Sequence, residues 1–163
     1  MLTFNKVMNM PAPLSHENFT NIQNNKLLPV VKQLANDSML SWAMKMKEAL
    51  DNEEGECDIS LDGTWQKGGH TFHKGVVTAI SMDTKKCLDI EVLSDKCQQC
   101  LKWQKKMHDV CYDEWKTFHI CKINLKGSSN SMESCGTIRI FERSMATRRL
   151  RYKKMLGDGD SST

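Results

Sequence analysis

The sequence predicts an α/β (α+β) domain: three antiparallel strands, a crossover helix and a fourth strand in one mixed sheet, preceded by a long N-terminal helix and interrupted by a Cys/His-rich insertion. Three observations carry this prediction. Apolar residues recur at threes and fours from Lys26 to Leu50. Beyond Gly55 that spacing gives way to short runs rich in Val, Ile, Leu and Thr. Helical spacing then returns after Gly127 and leads into a loosely alternating run, "LRYKKML". The expected segments are an N-terminal helical part, residues 1–55, and a core, residues 56–163, with its insertion at about 95–125.

Residues 15–54 read as helix in one or two pieces. Ser15, behind Pro11 and Pro13, suits an N-cap, and Phe19 and Ile22 start an apolar face. Leu27, Val30, Val31, Leu34, Ala35, Met39, Ala43, Met46 and Leu50 continue it, with Pro29 tolerated near the first turn of this second piece. "CDISLDGTW" (57–65), "HKGVVTAIS" (73–81) and "CLDIEVLS" (87–94) are strand candidates. The tight connection "MDTKK" makes a hairpin of the second and third, and the first joins them in a meander. From Asn130 the chain is helical again, with Asn130 and Glu133 as a capping box and Met132, Ile138, Phe141 and Met145 on one side. Gly136 weakens the middle of that helix by about 1 kcal/mol relative to alanine.

Length and composition limit what the motifs can mean. The chain has 163 residues, 39% hydrophobic and 26% charged, the profile of a folded globular domain rather than a disordered chain. No stretch reaches the roughly 20 apolar residues of a membrane helix, and "MLTFNKVMNMPAP" lacks the apolar core of a signal peptide, so the expected location is intracellular. Seven cysteines, an odd number in a chain without an export signal, then read as thiols or metal ligands rather than a disulfide framework. The net charge of +3 is unevenly spread: six acids and no Lys or Arg lie between Asp51 and Asp62, and six bases and no acid lie between Arg143 and Lys154. Such runs are either solvated faces or binding surfaces for a polyanion.

A helical crossover returns the next strand parallel to one already in the sheet. If that strand lies beside the first, Asp62 approaches Asp158 and Asp160 in the terminal "GDGDSST". Paired carboxylates at strand ends hold hard divalent cations and leave positions open for a substrate phosphate. Asp and Gly are equally at home in turns, so spacing alone leaves a turn role open. "DGDSS" also opens like a calcium loop, without the later ligands. In the insertion, Cys97 and Cys100 followed by His119 and Cys121 offer the four ligands of a closed tetrahedral zinc site, with Cys111 or His108 as substitutes and reduced, partly buried thiols as the alternative. Cys57, Cys87 and Cys135 sit in strand or helix contexts and read as core thiols.

"DISLDGTWQKGGHTFHKGVVTAISMDTKKCLDIEVLS" and "FHICKINLKGSSNSMESCGTIRIFERSMATRRLRYKKMLGDGDSST" closely resemble the Mutator-like transposase domain, and the opening "MNMPAPLSHENFTNIQNNKLLPVVKQLANDSM" resembles the segment that precedes its core. The resemblance implies a partial ribonuclease-H-like fold and an Asp-Asp-Glu site that cuts and joins DNA with Mg2+ or Mn2+. It carries the first acid to Asp62 and the second to Asp158, with Asp160 the competing choice. The family pattern continues beyond G-D-G-D-S toward the third acid, so the expectation is a C-terminally truncated domain, inactive alone. Leu125 stands where relatives have a histidine, which removes one possible ligand or phosphate contact. DNA is the implied partner and the nucleus the implied location, with Arg148, Arg149, Arg151, Lys153 and Lys154 holding phosphates. The alternative is a non-catalytic DNA- or protein-binding module derived from a transposase.

Overall fold

A computed structural model describes residues 13–50, 55–66, 73–127 and 131–157. The chain divides into two compact units, Met1–Ser38 and Met39–Thr163.

In the first unit, α1 (His16–Asn21) starts at Ser15, whose hydroxyl accepts the Asn18 N–H at 3.2 Å as the sequence predicts. The next turn, Ile22–Leu27, is a π-helix, in which the Leu28 N–H donates to the Gln23 carbonyl. Pro29 explains this widening. It has no N–H for the Asn25 carbonyl four residues back, and its ring crowds that carbonyl. The helix α2 (Leu28–Ala49) follows directly and contains the boundary between the units. No residue of α1 or the π turn is buried, and in α2 the buried residues are Ala43 and Met46, both in the second unit.

The second unit is built on one sheet, in the order β3-β2-β1-β4, from β1 (Glu56–Trp65), β2 (Lys74–Ser81), β3 (Cys87–Ser94) and β4 (Arg151–Leu156). The meander is as expected: β1 pairs antiparallel with β2 and β2 with β3. In the connecting turn, the Ser81 hydroxyl accepts the Asp83 and Thr84 N–H groups, and Lys85 takes a left-handed φ of 56°. The fourth strand lies parallel to β1, with Cys57 opposite Tyr152 and Ser60 opposite Leu156. A register shift falls between Cys57 and Ile59. Along β1 the buried residues alternate as Cys57, Ile59 and Leu61, which leaves Asp58, Ser60 and Asp62 on the other face.

Two short helices and one long one follow in the unit. α3 (Gln98–Gln104) and α4 (Tyr112–Phe118) lie in the insertion, where the sequence showed no clear period, and α5 (Met132–Arg148) crosses from β3's side of the chain to β4. The start of α5 differs from the predicted capping box. Ser131 occupies the N-cap with helical backbone (φ −86°, ψ −4°) and makes no capping side-chain hydrogen bond, so Glu133 falls one position too early to close a box. Asn130 lies outside the described residues.

The buried face of α5 also differs from the apolar stripe. Met132, Gly136, Ile140, Ser144 and Arg148 face inward at steps of four, while Ile138 is 56% and Met145 48% exposed. Gly136 is there for space. A Cβ at that position would stand 2.6 Å from Val77 Cγ2 and 3.1 Å from Leu93 Cδ1, so the missing side chain lets the helix rest directly on β2 and β3. Gly75 does the same for Trp65 across the β1–β2 pair, where a Cβ would stand 2.1 Å from the indole. Ile59, Leu61, Val77, Leu93, Ile140 and Leu150 form the core with Ala43 and Met46.

Candidate functional site

The insertion brings four ligand-type side chains together. Cys97 is the N-cap of α3 and Cys100 lies in its first turn, so the short helix turns both sulfurs to one side. α4 then ends at His119, whose backbone is extended (φ −73°, ψ 118°). In extended chain, residues two apart share a side, which aligns His119 with Cys121 and turns Ile120, 88% exposed, outward. The extended run is tied to β3. Asn124 Oδ1 accepts the Ser94 N–H at 2.7 Å, and Asn124 Nδ2 donates to the Val92 carbonyl at 2.7 Å.

The four ligand atoms of Cys97, Cys100, His119 and Cys121 lie within 4.8 Å of one another. Among them, Cys100 Sγ to Cys121 Sγ is 3.6 Å, Cys97 Sγ to His119 Nε2 is 3.5 Å and Cys100 Sγ to His119 Nε2 is 3.2 Å. Zinc bonds of about 2.3 Å to sulfur and about 2.0 Å to nitrogen set tetrahedral edges near 3.5–3.8 Å, which these separations approach. The donor set and its spacing fit zinc, and the cluster could hold such a metal. Cys111 and His108, the substitutes read from the sequence, are not members of it.

The thiols are already electrostatically unequal. Burial raises Cys97, but hydrogen bonds from the backbone of Lys122, Cys100 and Gln99 and from the Cys100 thiol outweigh it and bring the group to about 6. Cys100 is pushed up to about 12 by desolvation, then by its hydrogen bonds and charge interactions with Cys121 and Cys97. A Cys97 thiolate held by backbone N–H groups beside a protonated Cys100 thiol is a site prepared to exchange a proton for a cation. Around it, Trp115 stacks on His119 (4.5 Å, 23°) and on Trp103 (5.1 Å, 13°), which holds the imidazole plane with its Nε2 toward the sulfurs.

Asp62 lies near the end of β1, exposed, on the face turned away from α5. Its backbone carbonyl accepts the Thr78 hydroxyl at 3.2 Å from the neighbouring strand. Asp158 and Asp160 lie outside the described residues. The last described pair between the parallel strands is Ser60 opposite Leu156, each two residues before an aspartate in the sequence, Asp62 and Asp158.

The basic run does not act as one surface. Arg148 departs from the phosphate-binding expectation because it is 5% exposed and donates to Asp89 Oδ1 at 3.1 Å. Arg143 donates to Asp89 Oδ2 at 2.8 Å, to Glu91 and to the Ile90 carbonyl, and Arg139 reaches Glu91 at 3.1 Å. Three arginines of α5 are thereby clamped to two acids of β3. The expectation of a strand at "CLDIEVLS" does not include these pairings; their signal in the sequence is the alternation of Asp89 and Glu91 on one face, matched by arginines at 139, 143 and 148. Arg149, Arg151, Lys153 and Lys154 are exposed, with Lys153 bonded to Glu56 at 2.6 Å. Leu125, at the position where a histidine was expected, is buried in the core.

Of the cysteines read as core thiols, Cys57 lies in the core and Cys135 packs against it, whereas Cys87 is half-buried outside that cluster; Cys111 is exposed. Cys57 is buried, and burial followed by the charges of Asp83 and Asp58 raises it to about 11. Cys87 is raised by burial. Among the described residues, no helix is long and apolar enough to cross a membrane.

Compared with known proteins, residues 1–163 match the family model described as Mutator-like transposase. No curated protein and no solved structure matches the chain.

Proposed function

Because the chain belongs to the Mutator-like transposase family, we propose that it binds DNA and carries part of a metal-dependent phosphodiester cleavage and strand-transfer site, in which Asp62 and Asp158 hold Mg2+ or Mn2+ and Asp160 is the competing second ligand. The observation that supports this reading is the parallel pairing of β4 with β1 in the order β3-β2-β1-β4, which agrees with the partial ribonuclease-H-like sheet that the family resemblance implies. Parallel neighbours advance together, and Asp62 and Asp158 each follow the Ser60–Leu156 pair by two residues in the sequence, the positions this reading takes as one acidic site. Hard cations take carboxylate oxygen there and keep positions for phosphate oxygen, and the metal supplies the charge that activates the attacking hydroxyl. The Cys97, Cys100, His119 and Cys121 cluster has a different chemistry. Its soft thiolates suit structural zinc, which orders the insertion beside the sheet and leaves no open position for substrate. Within this reading the exposed bases Arg149, Arg151, Lys153 and Lys154 hold DNA phosphates and the protein works in the nucleus.

Manganese titration of the 163-residue chain tests the acidic site. Binding should weaken at least about tenfold in Asp62→Ala and in Asp158→Ala, as expected when one of two carboxylates is removed from a hard-cation site. Unchanged Mn2+ affinity in both variants rejects the metal reading. DNA binding that survives Asp62→Ala in that case leaves the non-catalytic binding module.

A further inference from the structure

At one end of the sheet, where β1 runs out, β2 begins and β3 ends, the chain encloses a pocket of about 360 Å³. It lies beside the Cys97 ligand rather than at Asp62, and neither the basic run nor the acidic pair contributes to it. Lys74, Lys96 and Lys122 line it, together with His73, Gln66 and Gln99. Three elements far apart in sequence therefore each bring one lysine to the same cavity.

The charges in this pocket are not cancelled locally. Among the described residues, neither Lys74 nor Lys122 has an ion-pair partner. The nearby carboxylate of Asp95 is committed elsewhere, since its Oδ1 meets His73 Nδ1 at 3.0 Å. With Nδ1 as the donor to Asp95, His73 Nε2 is left as an acceptor, and Lys96 Nζ stands 3.3 Å from it. That contact gives the Lys96 ammonium a hydrogen-bonding neighbour and no negative charge. The wall itself is fixed by backbone: Gln66 N–H donates to the Lys74 carbonyl at 3.0 Å, and the Ser94 hydroxyl bonds the Lys96 and His73 carbonyls at 2.9 and 3.3 Å.

We infer that this pocket seats a backbone phosphate of a DNA strand, with its sugar, as a contact separate from the exposed basic residues near β4. Three lysines lining one cavity without paired acids match a phosphodiester's diffuse negative charge, and lysine contacts of this kind position the strand without reading sequence. The carboxamides of Gln66 and Gln99 can donate to phosphate oxygens or accept from neighbouring groups. The volume is at the small end of the roughly 300–1,000 Å³ typical of ligand clefts, room for one nucleotide unit rather than a helix. This inference rests on the DNA-binding reading above.

The test is fluorescence anisotropy of a labelled DNA duplex titrated with the full, zinc-loaded chain across a series of salt concentrations. Lys74→Gln/Lys122→Gln should weaken binding roughly tenfold at low salt and flatten the slope of log K against log salt by roughly one, the loss of the single phosphate neutralised in the pocket. Lys74→Arg/Lys122→Arg should retain both affinity and slope, and thermal melts of all three proteins should coincide. Wild-type binding with an unchanged affinity and slope in the glutamine variant overturns the pocket and leaves the DNA-binding reading intact. A wild-type chain without salt-dependent DNA binding overturns that reading, and the pocket falls with it. Inorganic phosphate at matched ionic strength should displace DNA no better than chloride; specific displacement assigns the pocket to a small anion and overturns the proposal.

Discussion

The sheet with α5 and the Cys/His insertion are neighbours in one unit held together by opposite means. The sheet and α5 exclude water: Ile59, Val77, Ala79, Leu93 and Ile140 have no exposed surface. The insertion buries no residue of α3 or α4, and Val110, Phe118 and Ile120 are 98%, 78% and 88% exposed. What it has instead is a convergence of four ligand atoms and a stack of rings, Trp103, Trp115 and His119. The difference teaches that length of chain alone does not build a core. About thirty residues cannot bury enough apolar surface to offset their ordering entropy, and a metal or a disulfide commonly supplies what is missing.

The sharpest way to break this comparison is to compare the chain loaded with zinc and stripped of it. Structural zinc contributes on the order of 10 kcal/mol to such small elements. Chelation of the zinc-loaded chain should therefore abolish amide protection between residues 97 and 121 while β1, β2 and β3 stay protected, as read by hydrogen exchange. Equal protection with and without metal would mean that the aromatic stack suffices.

The core should fail through its buried charges rather than its ligands. Asp89 is 2% exposed and accepts from both Arg143 and Arg148. Asp89→Ala should cost about 3–5 kcal/mol in urea melts, because it strands the buried Arg148 guanidinium. A loss below about 1 kcal/mol would show that water reaches the site.

Gly136→Ala sharpens the comparison at smaller scale. Alanine favours the helix by about 1 kcal/mol, but its methyl meets Val77 and Leu93 where the helix touches the sheet, so a net loss of about 1–3 kcal/mol is expected. Thermal unfolding that is unchanged or improved would mean that α5 can slide outward without penalty.

The four strands were legible in the sequence to within a residue at each end, because strand period and turn chemistry are local. The four clustered ligands were equally legible, since the C-x-x-C and H-x-C pairs each declare themselves over a few residues. The inward face of α5 was not. Two stripes fit its sequence at helical spacing, and of the apolar one Met132 is buried and Phe141 packs against the core, whereas Ile138 and Met145 face solvent. The stripe that faces the sheet contains a glycine, a serine and an arginine, which no hydrophobic pattern selects. Arg148 was misread for the same reason, since nothing within the basic run itself distinguishes it from Arg149.

By itself the sequence determined the kinds of element, their order and the chemistry each could carry, because these follow from periodicity and from ligand types at short spacing. Only the tertiary structure decided which charges are buried and which pockets exist. Those depend on partners some 50 residues away, as Arg143 and Asp89 are, or on three separate segments meeting, as at Lys74, Lys96 and Lys122. Burial strengthens an ion pair by lowering the local dielectric, and no run of residues states its own depth.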